Sequence, residues 1–274
     1  TGKEGTGIVP VDLEELGPPS LYGDDRVFVA IRLAGTVEPA TSRRLGAFAE
    51  AGHPVLEHEI DGLYDLGAEF LFWELAVATA GAVLGIDPFD QPNVQESKDV
   101  TKRLLADYVA GGELPGAMPG ESGAKLAFPV GDEGLPAALR EFLAQASAGD
   151  YVALQAYIAP GTAVWDQLQA VRLQLRDGLK LATTLGYGPR YLHSTGQLHK
   201  GGRNRGLFLQ LLGHDPDDVE IPGQPYSFSV LKRAEARGDL VALRAHECRA
   251  LRLCLGDDVP AGLTRLAEVV AAAF

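Results

Sequence analysis

The feature that most constrains the fold is a repeated alternation of strand-like and helix-like segments. Short runs rich in apolar and β-branched residues are separated by longer stretches of helical composition, both near the start of the chain and after residue 150. The predicted strands are Arg26–Leu33, Pro54–Ile60, Tyr151–Ile158, Lys180–Leu185 and Phe208–Leu212, and the predicted helices are Pro39–Ala51, Leu66–Ile86, Thr162–Lys180, Tyr226–Arg237 and Leu263–Phe274. Strands that alternate with helices favour a parallel sheet with helices on its faces, so the sequence predicts an α/β fold.

A glycine- and proline-rich stretch divides the chain. Residues 111–123 contain five glycines and two prolines with almost no apolar side chains, a composition typical of a linker or a loop. We therefore predict one domain over residues 1–112, a linker over residues 113–126 and a second α/β region over residues 127–274.

Composition excludes several classes of partner. The 274 residues carry a formal charge of −13, which opposes unaided binding to nucleic acid or to an anionic membrane. The two cysteines, Cys248 and Cys254, lie close together in a predicted helix and form no disulfide framework, and the N-terminus has no charged-then-apolar leader, so a cytoplasmic protein is expected. Leu66–Ile86 is long and apolar, but Glu69 and Glu74 make it a poor lipid helix and favour burial in the protein core.

A polar elbow follows this apolar helix. Pro88 ends the helix, and Pro92 suits the first turn of the next one, where Asp90 or Asn93 can cap the free amides. Lys98 then falls near the second turn, with Gln91 close to it around the elbow. This arrangement suits a proton-transferring lysine beside a polar ligand, although from the residues alone an ordinary solvated lysine on an amphipathic helix is the commoner case.

A second polar segment is predicted to be a loop near residue 193. His193 and His199 flank hydroxyl side chains and precede glycines and cations over residues 200–205, a mixture that can hold a sugar phosphate through backbone amides and charge-assisted hydrogen bonds. The alternative is a solvated polar loop without a ligand. No cysteine or third ligand lies near the two histidines, so no metal is predicted.

Three segments together resemble the glucose-6-phosphate isomerase (phosphoglucose isomerase) family. They are Asp87-Pro-Phe-Asp-Gln-Pro-Asn-Val94 with Lys98, Thr1-Gly-Lys-Glu-Gly-Thr-Gly-Ile-Val-Pro10, and Leu192-His-Ser-Thr-Gly-Gln197. The resemblance is closest to the isomerase part of bifunctional transaldolase/glucose-6-phosphate isomerase proteins. It departs from short bacterial isomerases in chain order, because there the histidine precedes the lysine, whereas here His193 follows Lys98.

The resemblance implies roles for particular residues. Lys98 and His193 would be the acid/base groups that open the sugar ring, while Gln91, Gly2 and Lys3 would contact the substrate. It also implies a sugar-isomerase (SIS) type of parallel-sheet sandwich in residues 1–112, truncated at its N-terminus, and a second α/β region of the fusion type.

The implied reaction interconverts glucose 6-phosphate and fructose 6-phosphate without a cofactor. A carboxylate must move a proton between two carbons, and the family's glutamate would lie two residues before Thr1, so the implied partners are a missing N-terminal isomerase/transaldolase region, a sugar phosphate and a homodimer mate. The alternative is a sugar-phosphate-binding module that does not catalyse.

Overall fold

The computed structural model describes residues 2–36, 39–114, 127–215 and 217–274, which form two compact units. The larger unit comprises Thr1–Asp12 and Phe89–Phe274, and the smaller unit comprises Leu13–Pro88. In chain order the described strands and α-helices are β1 (Gly2–Lys3), β2 (Thr6–Gly7), β3 (Phe28–Leu33), α1 (Pro39–Glu50), β4 (Val55–Ile60), α2 (Asp65–Leu84), α3 (Pro92–Gly111), β5 (Ala127–Pro129), α4 (Leu135–Leu143), β6 (Tyr151–Tyr157), α5 (Thr162–Leu179), β7 (Ala182–Tyr187), α6 (Gly196–Gly201), β8 (Gly206–Leu212), α7 (Phe228–Ala245), β9 (Arg249–Cys254) and α8 (Val259–Ala271).

A five-stranded parallel sheet forms the centre of the larger unit. Its strand order is β5-β9-β8-β6-β7, and β6 is buried along its whole length. On one face Leu154, Leu209 and Leu253 pack in a core with side chains from α4, α5 and α8. On the other face Tyr151 and Phe208 pack against α7. Burial on both faces is the environment that parallel strands require, and the α/β prediction is confirmed.

Helix α3 belongs to the larger unit because it packs along α7. Gly238 allows this close approach, since a Cβ atom there would lie 2.4 Å from Thr101 Oγ1. The division of the structure at residues 12/13 and 88/89 therefore does not coincide with the domain boundary expected at residues 113–126. Most of that predicted linker, residues 115–126, lies outside the described residues.

The smaller unit pairs β3 and β4 in parallel and adds α1 and α2. Leu45 and Phe48 of α1 are buried, and Phe28 stacks on Phe48 with ring centroids 4.0 Å apart. Apolar side chains on both strands nevertheless remain exposed: Val29, Ile31, Leu33 and Leu56. A two-stranded parallel sheet is too narrow to cover its own apolar surface.

Helix α2 forms where the apolar run predicted a helix, but the expectation that it is buried is wrong. Gly81 is its only buried residue, while Phe70 is 62% and Leu75 is 60% exposed. By length and hydropathy α2 could cross a membrane, which is weak evidence from one helix. Glu69 instead forms polar contacts within the unit, because its carboxylate accepts a hydrogen bond from Trp73 Nε1 at 2.7 Å and pairs with His58 of β4.

Several elements had no sequence prediction. The strands β1, β2 and β5 are too short to carry a periodic pattern, whereas α4 has an amphipathic pattern that buries Leu135, Leu139 and Leu143. Cys254 lies on β9 rather than on the predicted helix. Cys248 and Cys254 are both free thiols.

We expect Leu209→Ala to lower the free energy of unfolding by about 2–5 kcal/mol, because Leu209 is fully buried on the central strand β8 and truncation leaves a cavity. Urea unfolding followed by circular dichroism measures the loss. Val219→Ala, at a residue that is 59% exposed, is the matched control and should change stability by less than about 0.5 kcal/mol. Equal effects of the two substitutions would contradict this assignment of the core.

Candidate functional site

The three segments that carry the family resemblance meet at the side chain of Gln197. Gln197 lies on α6 and is 3% exposed. Its Nε2 donates to the carbonyl oxygen of Gly2 at 3.1 Å and to Oδ1 of Asn93 at 2.7 Å. One amide therefore connects the N-terminal segment, the elbow before Lys98 and the segment after His193, which are separated by up to 195 residues along the chain.

Gln197 also caps helix α3. Its Oε1 accepts a hydrogen bond from the backbone N–H of Asn93 at 2.9 Å, which satisfies one of the free amides at the helix start. Pro92 occupies the first turn as predicted, but the prediction that Asp90 or Asn93 caps the helix is wrong: the capping position is Gln91, whose side chain makes no capping bond. The cap comes from a distant part of the chain.

The N-terminal hairpin, formed by β1 and β2, is held against α6 by further contacts. Gly5 N–H donates to the carbonyl of Gly201 at 3.0 Å, and Arg203 Nε donates to the carbonyl of Gly5 at 3.2 Å. Gly201 leaves room for this contact, because a Cβ atom there would lie 2.7 Å from Asn93 Oδ1 and 3.0 Å from the carbonyl oxygen of Gly2. Lys3 Nζ pairs with Asp90 Oδ2 at 2.8 Å and ties the hairpin to the elbow a second time.

The proposed acid/base residues lie on the surface around this junction. Lys98 is exposed on α3 next to the buried Ser97, and Gln91 is exposed at the start of the same helix. His193 is exposed at the end of a 3-10 turn, Arg190–His193, that precedes α6. Gly2 is buried, and the side chain of Lys3 is 15% exposed. The roles of these residues stay predictions.

A buried ion pair lies beneath α6. Lys200 Nζ is 2.7 Å from Asp239 Oδ1, and both side chains are fully buried. Asp239 also accepts a hydrogen bond from the hydroxyl of Tyr191, which in turn contacts the hydroxyl of Tyr157 at 3.3 Å. Charges buried this deeply persist only when they are paired with an opposite charge. Lys200, expected in a polar loop, is instead an internal element of the fold.

The sequence carries one signal of this buried ion pair. Asp239 lies between Gly238 and Leu240 in a run of buried residues on α7. An acid at such a position needs a cationic partner from another element.

His199 is also buried, although His193 was the stronger candidate from sequence. Its Nδ1 is 2.8 Å from the hydroxyl of Tyr151, and Phe208 packs edge-on at a centroid distance of 5.0 Å. Burial, assisted by the positive charge of Lys200, lowers the pKa of His199 to about 3, so the imidazole is neutral at physiological pH. Burial likewise raises the pKa of Tyr151 and keeps its hydroxyl protonated.

Next to His199 lies a cavity of about 220 Å³ against β6 and β7. The sheet contributes Gln155 and Thr184, the segment before α6 contributes Tyr191, Ser194 and Thr195, and the N-terminal segment contributes Pro10 and Asp12. Lys98, Gln91 and His193 do not line it. Within the part of the chain that the structure describes, no group of three or more His, Cys, Asp or Glu side chains is arranged to hold a metal ion.

Comparisons with known proteins add a distant structural likeness. No protein-family model and no curated protein matches the chain. Among solved structures, a hypothetical protein from Thermus thermophilus, TT0462, is similar over 89% of this chain, with 18% sequence identity and a TM-score of 0.43. The chain covers 56% of that protein's length. A likeness this remote carries no argument about function.

Replacing Gln197 with methionine should release the N-terminal hairpin, because methionine has a similar length but neither donates to Gly2 nor caps α3. We expect faster hydrogen–deuterium exchange in a peptide covering residues 2–7 and in one covering the start of α3, measured by mass spectrometry. Gln95→Met, at an exposed position on α3, is the control. Unchanged exchange in both peptides would show that Gln197 does not hold the junction.

The neutral state of His199 predicts a pH dependence of stability. The folded pKa of about 3 lies below the ordinary value of 6.5, so as pH falls through 6.5 the unfolded chain takes up a proton that the folded chain does not. This residue alone should lower the free energy of unfolding by about 2 kcal/mol between pH 7.5 and pH 5.

Urea unfolding at the two pH values measures the effect. His199→Gln should remove that part of the pH dependence, and His214→Gln, at an exposed histidine, should leave it intact. A pH dependence identical in wild type and His199→Gln would contradict the neutral buried imidazole.

Proposed function

We propose that this chain is the C-terminal portion of a glucose-6-phosphate isomerase, of the kind fused to a transaldolase. The observation that supports the proposal is the meeting of three separate sequence segments at Gln197. Each segment resembles a different part of the same enzyme family, and nothing in chain order requires them to touch. Their shared hydrogen bonds support the interpretation that the three segments belong to one site.

In the proposed reaction, Lys98 and His193 open the sugar ring by proton transfer. An imidazole titrates near neutral pH, and an ammonium group can donate a proton to the ring oxygen while stabilising negative charge on it. Gln91, at the exposed start of α3, contacts the sugar. Gly2 and Lys3, on the N-terminal hairpin, lie beside the bound sugar. The ion pair between Lys3 and Asp90 anchors the hairpin there. A glutamate upstream of Thr1 carries the proton between the two carbons.

The proposed active site is completed by a further part of the protein or by a second copy. Lys98 and His193 are exposed, whereas proton transfer to a sugar is efficient in a site closed to water. Exposed apolar side chains of the smaller unit, among them Ile31 and Phe70, support the presence of a further partner. We propose two sources of that partner: an upstream isomerase region with an SIS-type fold, and the second subunit of a homodimer. The enzyme is proposed to be cytoplasmic and to bind neither membrane nor nucleic acid.

The test uses a full-length protein that contains this chain and the upstream segment. Conversion of fructose 6-phosphate to glucose 6-phosphate is followed with a coupled dehydrogenase. We expect Lys98→Ala and His193→Ala each to lower kcat on the cyclic substrate by about 10²- to 10⁴-fold, the usual contribution of a positioned proton donor. The loss on an open-chain analogue should be much smaller, because ring opening is then unnecessary.

The matched control is Lys102→Ala, one helical turn beyond Lys98 on the exposed side of α3, which should leave kcat unchanged. Sugar-phosphate binding without turnover in the full-length protein would instead favour the non-catalytic binding module. Full activity of both variants on the cyclic substrate would overturn the roles assigned to Lys98 and His193.

A further inference from the structure

Gln155 is a buried amide without a partner. It lies on β6, between β7 and β8, and is 1% exposed, yet neither Oε1 nor Nε2 has a hydrogen-bond partner. An amide in this state costs stability, and native proteins leave few of them. An apolar side chain of similar size would fill the same space without the cost, so the amide itself requires an explanation.

The position of Gln155 explains its unpartnered amide, because Gln155 lines the 220 Å³ cavity. The sheet residues that line the cavity come from β6 and β7, Gln155 and Thr184 among them. At about 30 Å³ per water, the volume corresponds to roughly seven waters or one molecule of monosaccharide size.

The walls of the cavity are polar but carry no described positive charge. Ser194 and Thr195 both donate their hydroxyl hydrogens to the carbonyl of Tyr191, so their oxygens are left as acceptors. His199 is neutral. Lys200, whose ammonium group pairs with Asp239, is not among the residues that line the cavity.

Asp12 is the one acidic residue among the described residues that line the cavity, and its backbone carbonyl accepts a hydrogen bond from the buried Arg172 of α5 at 2.8 Å. A lining that includes an acidic residue and no cationic one opposes phosphate and carboxylate ligands. Neutral hydroxyl groups suit it, because each can donate to the hydroxyl oxygens of Ser194 and Thr195 and can accept from the amide of Gln155.

We infer that this cavity binds a neutral, polyhydroxylated molecule of about monosaccharide size, held by Gln155, Thr184 and the hydroxyl oxygens of the segment before α6. This inference goes beyond the proposed isomerase activity and does not rest on it. Lys98, Gln91 and His193 do not line the cavity, and the anionic group of a sugar phosphate has no counter-charge inside it.

The test measures binding to this 274-residue chain by thermal shift and isothermal titration calorimetry. Glucose, sorbitol and myo-inositol are the neutral compounds, and glucose 6-phosphate and inorganic phosphate are the anionic ones. We expect a saturable rise in Tm with at least one neutral compound and none with inorganic phosphate. A rise with phosphate alone, or with none of the neutral compounds, would overturn the inference.

Substitution then locates the site. Gln155→Leu should abolish the rise while leaving Tm without ligand unchanged or higher, since it removes an unpartnered amide. Gln145→Leu, at an exposed glutamine, should bind as wild type. If Gln155→Leu fails to fold, Thr184→Val provides a second variant of nearly equal shape and should weaken binding at least threefold. Binding that persists unchanged in every variant that folds would exclude the cavity.

Because the isomerase proposal is tested by turnover in a full-length protein, the two can fail separately. Loss of the neutral ligand would leave the roles of Lys98 and His193 untouched. Loss of turnover in Lys98→Ala or His193→Ala would leave the cavity untouched.

Discussion

The ion pair between Lys200 and Asp239 is the interaction on which the larger unit's polar centre depends. It joins α6 to α7 at a point where neither side chain reaches water. Breaking one side of such a pair leaves an uncompensated buried charge, which typically costs about 3–5 kcal/mol. Tyr191 and Tyr157 extend the network toward β6, so a helix of six residues is fixed to the sheet more firmly than its length suggests.

Because the ion pair fixes α6, the side chains of Gln197 and His199 are held in place on this helix. Gln197 reaches the N-terminal hairpin and the first turn of α3, and His199 reaches Tyr151 on the sheet. The same short helix therefore organises both the junction of the three family-like segments and one wall of the cavity. Lys98 and His193 lie on elements whose positions are set by this junction, which is why the proposed chemistry depends on buried residues that take no part in it.

The two compact units differ in how completely they bury their apolar side chains. In the larger unit a parallel sheet is covered on both faces, as parallel sheets require. In the smaller unit a pair of parallel strands and a helix of strongly apolar composition leave many large side chains exposed. Exposed apolar surface of this kind favours association, and the proposed enzyme accounts for it through an additional region or a second copy.

The sequence by itself determined the class of the fold and the position of most elements. Period and composition place β6, α5 and α8 within a few residues, and Pro92 marks the start of α3. Two predicted helix ends are wrong: α7 continues to Ala245 instead of ending at Arg237, and α2 ends at Leu84 with a left-handed Gly85, before Pro88 is reached. The same local signals identified the three family-like segments. They act over one or a few turns of chain, which is why one sequence is enough to read them.

Only the tertiary structure decided which polar groups are internal. A stretch with the composition of a solvated loop contains three residues that are buried: Gln197, His199 and Lys200. Conversely, the candidate acid/base residues Lys98 and His193 lie on the surface. The apolar helix α2 is also exposed, because no other described element covers most of its side chains. Whether a side chain is buried depends on what distant parts of the chain bring to it, such as Asp239 to Lys200 or Gly2 to Gln197, and that pairing is absent from local periodicity.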